Sequence, residues 1–324
     1  MDKKDYEMVL RKYGDRKKPV YVLLYHPWMA GFEDYFPAHL SWLRRNGFES
    51  ISTEELAGYL KGDQALIPGR PIVITLDDGT VEDYTIAYPA LKGFGFTGTV
   101  FAPTAEKYLM LSGTDWWNEV ESAGVLRIEG HSHSHALAFI SDRVEGFFVD
   151  EKEERKPIIK GLEVRAGAPL FELGYELVSK RFIPSRKFVE KCVDYVKRQG
   201  DKAFFEKRGW KEELLGVAAE YRGDLGRYET EEEKRERIAE ELEQSKKIIE
   251  ETLGDGKEVR FFAYPFGAYD AGLVEQVKKA GYQGAFSTDA GGNGPGDDPF
   301  LIKRVTVSEE NPSGGLGNIL KEYE

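Results

Sequence analysis

Three of the chain's five histidines fall within five residues, His131-Ser132-His133-Ser134-His135, and two adjacent carboxylates, Asp77 and Asp78, stand directly before Gly79. Imidazoles with a carboxylate are the donors of a catalytic metal site, and a carboxylate left over can take a proton. Side by side at a buried edge, Asp77 and Asp78 repel unless a cation or a proton compensates. Dividing the labour, one on a metal and the other free as a base, resolves that conflict. Asp-Asp-Gly also suits a tight turn. Geometry limits which imidazoles share an ion. In a helical turn, residues four apart approach to about 5–6 Å, pairing His131 with His135. An extended segment would part them by about 13 Å and favour neighbours two apart, such as His131 and His133.

The elements that must position these groups are legible as apolar runs. Strands are predicted over 20–25, 72–76, 98–102, 125–129, 259–264, 284–287 and 301–307, with helical patterns between most of them. One helix is predicted over 35–46, before Gly47, and another over 81–92, before Gly93. Ser52 with Glu55, and Thr230 with Glu233, have capping-box spacing, and a further helix is predicted over 271–280. Strand–helix alternation implies a parallel sheet with helical crossovers, and seven strands suggest a closed or nearly closed barrel. His26 follows the first strand, Asp77-Asp78 the second, His131 the fourth and Pro265-Phe266-Gly267 the fifth. In a parallel β/α barrel these positions share the carboxyl-end rim, where active sites are assembled. The stretch from about 141 to 228 breaks the rhythm and reads as a mostly helical insertion within a single barrel domain over 1–324. Gly93-Phe94-Gly95-Phe96-Thr97-Gly98 matches a dinucleotide fingerprint in letters only, because it follows a helix and precedes a strand.

Composition narrows the function. A net charge of -12 argues against a nucleic-acid binder, which needs a basic footprint. No apolar run approaches the roughly 20 residues that span a bilayer. Residues 1–20 carry no signal-peptide core, so the sequence as it stands reads as soluble and cytoplasmic. The single cysteine, Cys192, excludes an internal disulfide, and its helical spacing with Phe188 and Tyr195 points it into a core.

Three motifs together resemble the polysaccharide deacetylase (NodB-homology) family of carbohydrate esterases. They are Thr75-Leu76-Asp77-Asp78-Gly79, His131-Ser132-His133-Ser134-His135 and Tyr264-Pro265-Phe266-Gly267, within a likeness running from about His26 to Val307. The resemblance implies a distorted (β/α)7 barrel. It implies that Asp78, His131 and His135 bind a divalent metal, with Zn2+ ahead of Co2+, Ni2+ or Mn2+. Asp77 would be the general base toward the attacking water, and the Phe266 backbone N–H would hold the oxyanion, since Pro265 has no N–H. The implied reaction removes acetyl groups, N-acetyl first, from an acetylated carbohydrate.

Two departures stand out. Ala263 occupies the place of the family's base-orienting Arg, and no histidine follows His135, where the family has a late Leu-x-His general acid. Arg304 is the candidate for the missing charge, with an ordinary surface arginine as the competing reading. His26 is the candidate acid, with His133 second; His39 reads as a helix-face residue. Trp28, Trp116, Trp117 and Tyr264 have rings suited to stacking on a sugar, or to a core. Two other functions fit the same residues. One is a metal-dependent amidohydrolase acting on a small non-sugar amide or imide. The other is a sugar-binding relative that has lost catalysis, against which the retained Asp77 argues.

Overall fold

The computed structural model describes residues 19–62, 67–150, 157–254 and 256–307, together with Gly317. The N-terminal stretch read for a signal peptide lies almost entirely outside them. The chain divides into two compact units, one of Met1–Ser134 with Glu240–Glu324 and one of His135–Ala239.

The first unit carries the parallel sheet. Its strands are β1 (Tyr21–Tyr25), β2 (Glu49–Ser50), β3 (Pro71–Asp77), β4 (Gly98–Ala102) and β5 (Leu126–Gly130), then, after the second unit, β11 (Phe261–Ala263), β12 (Gly284–Phe286) and β13 (Val305–Thr306). The main path runs β12-β11-β5-β4-β3-β1-β13, with β2 on the side of β3. Every pairing in it is parallel. All residues of β1 and β3 are buried. That is why they read as unbroken apolar runs: helices cover one side of a parallel sheet and the barrel interior covers the other. Ile302 bridges to Phe286 in β12 while Val305 pairs with Leu23 in β1, so one short segment carries the circuit between the sheet's edges.

This is a distorted (β/α)7 barrel, and the distortion has a place. β5 and β11 share a single registered pair, Gly130 with Phe262. Below it, the buried Glu129 side chain substitutes for missing ladder bonds, its Oε2 accepting the backbone N–H groups of Arg260 and Phe261 at 2.8 Å each. The crossovers follow their sequence signals. Helix Thr53–Leu60 opens on the reciprocal Ser52–Glu55 capping box. Thr230 and Glu233 exchange bonds in the same way where helix Glu231–Leu253 begins. The helix predicted over 81–92 is a π-turn, Asp83–Ala87, running into helix Tyr88–Phe94. Among the described residues, no helix is long and apolar enough to cross a membrane.

The second unit corrects the expectation of a mostly helical insertion. It contains β6 (Ala136–Phe147), β7 (Ile158–Lys160), β8 (Pro169–Tyr175), β9 (Phe182–Pro184) and β10 (Gly226–Tyr228) beside helices Arg186–Arg198 and Trp210–Ala219. The first three strands form a sheet in the order β7-β6-β8, and β9 pairs with β10. β6 escapes sequence reading because its pairing with β8 shifts register between Phe139 and Val144, where the chain reads Ile140-Ser141-Asp142-Arg143. An irregularity there breaks the alternation that marks a half-buried strand. The unit packs around Phe139, Phe171, Phe182, Phe188 and Phe204. Cys192 joins that core, and burial pushes its thiol up to about 11, which makes it a small apolar filler rather than a nucleophile.

Candidate active site

The strand registers put the chemistry on one rim. Tyr25 aligns with Leu76, Asp77 with Phe101, Ala102 with Gly130, and Ala263 with Phe286. The residues just beyond these ends therefore include His26, Asp78, His131 and Tyr264. Asp78 is left-handed, at φ 79°, and Gly79 follows at φ 59°. A Cβ on Gly79 would lie 2.7 Å from that of Ala102, so only glycine lets the chain turn here. The turn reading of Asp-Asp-Gly thus holds for this segment.

Ligand atoms of Asp78, His131 and His135 all lie within 4.8 Å of one another. The histidine segment is neither helical nor extended. Left-handed residues at Ser132 (φ 63°) and His135 (φ 42°) bend it instead, bringing the i,i+4 pair together without a helix. His133 is directed elsewhere, its Nδ1 lying 3.0 Å from the Thr104 hydroxyl. His131 Nδ1 donates to the carbonyl of Ala263 at 2.9 Å. A carbonyl can only accept, so the neutral ring keeps its lone pair on Nε2, which lies 3.7 Å from Asp78 Oδ1. Two imidazoles and a carboxylate converging from one side, with one tautomer fixed, fit a divalent metal with coordination positions left open.

Asp77 is held differently. Arg304 is fully buried and clamps it with two parallel bonds, Nη1 to Oδ1 at 2.7 Å and Nη2 to Oδ2 at 2.8 Å. The Arg304 Nε–H donates to the Ser287 carbonyl at 2.8 Å. Burial by itself drives the Asp77 carboxyl upward. The Arg304 guanidinium outweighs that, helped by His131, by the Arg304 hydrogen bonds and by His26, and holds the group at about 2. The structure thus overturns the reading of Arg304 as a surface residue: a charge arrives from the residue just before β13 where the third motif carries Ala263. Asp83, beneath the turn, is a third buried carboxyl. Burial raises it well above the usual range; a Thr80 backbone bond opposes this, and the charges of Asp78, Glu82 and Asp77 add to it.

Of the candidate stacking rings, Tyr264, Trp116 and Trp117 are core residues. The Tyr264 hydroxyl donates to the Phe300 carbonyl at 3.0 Å, and its ring packs on Phe262 and Tyr269, which removes it from the substrate-binding set. Trp28 is 46% exposed and donates its indole N–H to Asp78 Oδ2 at 2.6 Å. His26 lies edge-on to Trp28, with ring centroids 6.0 Å apart. His39 is buried on helix Phe32–Arg45 against Tyr25 and Tyr35, away from these groups. Phe266 is left-handed at φ 58° in the turn Pro265–Gly267, where a Cβ on Gly267 would overlap Thr288. One contributor gave no sequence signal. Buried Glu241, on helix Glu231–Leu253, accepts the Ser134 backbone N–H at 2.7 Å through Oε2 and so straps the segment between the paired imidazoles.

The family model described as polysaccharide deacetylase matches residues 209–285. YxkH of Bacillus subtilis, named for the same family, is 34% identical over 86 residues, covering 25% of this chain and 30% of that protein. Poly-beta-1,6-N-acetyl-D-glucosamine N-deacetylase of Escherichia coli is 23% identical over 290 residues, 84% of this chain and 35% of that protein. The chain thus spans about a third of the length of these curated relatives. The BpsB deacetylase domain from Bordetella bronchiseptica superposes with a TM-score of 0.59 at 19% identity, covering 91% of this chain and 98% of that one, which shows a shared fold. Matched segment, barrel and motif residues all point one way: over residues 209–285 the chain is similar to the polysaccharide deacetylase family, and it shares the fold of a deacetylase domain.

Proposed function

We propose that this chain is a metal-dependent hydrolase that removes acetyl groups from an acetylated carbohydrate, with N-deacetylation of an amino-sugar polymer as its main reaction. The observation that carries the reading is the unequal treatment of two adjacent aspartates. A ligand atom of Asp78 lies within 4.8 Å of those of two imidazoles, while both oxygens of Asp77 are engaged by Arg304. The name of the Escherichia coli relative supports the choice of substrate class.

Asp78, His131 and His135 would hold the metal, with zinc first by its preference for imidazole and carboxylate in an open site, and cobalt, nickel or manganese as substitutes. A divalent ion bound there supplies Lewis acidity to an acetyl carbonyl and to a water. Asp77, ionised across the physiological range, takes the proton of the attacking water at a carboxylate oxygen. The Arg304 clamp fixes the orientation of that carboxylate. The Phe266 N–H would be the donor to the oxygen that becomes negative. His26 delivers a proton to the departing amine, since it is the remaining imidazole on this rim outside the His131–His135 segment.

The experiment is acetate release from N-acetylglucosamine oligomers by the purified chain, stripped by chelation and reloaded with Zn2+ or Co2+. Acetate that appears only with metal supports the reading. Loaded protein that binds the oligomers and releases none would leave a sugar binder, and ring opening of a cyclic imide in place of acetate release would leave the amidohydrolase.

A further inference from the structure

The two oxygens of Asp78 have different partners. Oδ1 lies 3.7 Å from His131 Nε2, on the side of the donor cluster. Oδ2 accepts the indole N–H of Trp28 at 2.6 Å, from a residue fifty positions earlier in the chain. An indole nitrogen donates only and is no metal ligand, so its single use here is to fix an oxygen. With Oδ2 engaged, rotation about the Cβ–Cγ bond is restricted and Oδ1 is presented to the His131 imidazole. Trp28 stands 46% exposed on the loop after β1, where water would satisfy the same N–H.

We infer that Trp28 is a positioning residue of the metal centre, its indole N–H holding Asp78 in a one-oxygen binding geometry. This rests on the metal-site reading above. Outer-shell donors to metal ligands act in this way because an ion gains most from ligands already in place. The His131 ring is held by the Ala263 carbonyl and the Asp78 carboxylate by the Trp28 indole, so each of these candidate ligands carries an orienting hydrogen bond.

The test is Trp28→Phe in the full chain, which keeps an aromatic ring on the rim while removing the N–H donor together with part of the indole. Calorimetric titration of the chelator-stripped protein with Co2+ should give a Kd raised roughly 10–100-fold over wild type. The visible Co2+ absorption should change as Asp78 loses its fixed orientation, while circular dichroism and Tm stay as in wild type. A Kd within about twofold of wild type would overturn the inference. So would loss of folding in Trp28→Phe, because the role would then be structural. If wild type itself takes up no Co2+, the metal-site reading fails instead, and that outcome is recognised before any variant is compared.

Discussion

Each unit of this protein buries an arginine–carboxylate pair, and the two are built alike. In the barrel unit, Arg304 binds Asp77 through two bonds of 2.7 and 2.8 Å. In the second unit, Arg237 binds Glu229 through bonds of 2.6 and 3.1 Å. Both acids sit below their ordinary range: burial raises them, and the guanidinium, joined at Glu229 by the Arg181 backbone N–H, more than reverses it. What differs is the remaining surroundings. Glu229 also accepts the N–H of Arg181 at 2.8 Å, and Arg237 spends its other donors on the carbonyls of Glu176 and Ser179. That pair is closed on itself. Asp77 has His131 Nε2 at 3.9 Å and feels the charge of His26, so its pair borders a reactive rim. A buried ion pair alone therefore does not mark a site; what else can reach the carboxylate does.

The largest effects should separate the two pairs. Removing one partner of a buried pair leaves an uncompensated charge and costs about 3–5 kcal/mol. Asp77→Asn and Arg237→Met should both lower stability on that scale by chemical denaturation. Only Asp77→Asn should also lower the rate of acetate release by the folded protein, by roughly 10²–10⁴-fold, the worth of a general base. Equal loss of turnover per folded molecule in the two variants would break the comparison.

This contrast also marks what the sequence could and could not tell. The barrel strands were legible because burial on both sides writes them as apolar runs, and Asp77, Asp78 and His131 because they stand immediately after such runs. The family's absent arginine and late histidine were legible as gaps. That Arg304 fills the first gap was not, because the bond spans 227 residues and its surroundings are set by tertiary closure. The bend at His131–His135 depends on left-handed Ser132 and His135, residues with no strong preference for that backbone, so spacing left two pairings open. Tyr264 has the same letters whether it lines a rim or fills a core, and only packing decided for the core. In the second unit the register shift in β6 hid a sheet among charged residues.

A third buried carboxylate sharpens the electrostatic side. Glu129 has no clamping guanidinium. Burial raises it, and Lys257 at 3.6 Å, the two backbone N–H groups and Arg127 pull it down without cancelling, leaving it at about 7 against an ordinary 4.5. A folded-state value above the unfolded one means that the native protein binds the extra proton between those values. The contribution of Glu129 to stability therefore falls as pH rises from about 4.5 to about 7 and is level beyond. The span corresponds to at most about 3 kcal/mol. Glu129→Gln keeps an oxygen for Arg260 and Phe261 but cannot ionise. The difference in unfolding free energy between wild type and Glu129→Gln should therefore move in favour of the variant across that window. A difference independent of pH would show that Glu129 is as well compensated as Asp77 and Glu229.

The smallest effect concerns a carboxylate that acts through the backbone. Glu241 accepts the Ser134 N–H at 2.7 Å, within a segment that carries two left-handed non-glycine residues. Such residues each cost of order 1–3 kcal/mol and persist only where their surroundings over-determine them. In Glu241→Ala the amide loses a charge-assisted partner, a loss of about 1.5–3 kcal/mol shared between stability and the alignment of His131 with His135. Tm should drop by a few degrees, and the Kd for Co2+ should rise by about tenfold as part of that energy is drawn from metal binding. Glu241→Gln keeps an acceptor oxygen at the same reach and should restore most of the affinity. If the alanine variant loses stability but binds Co2+ as wild type does, the strap serves the fold alone, and Glu241 belongs with Glu229 rather than with Asp77.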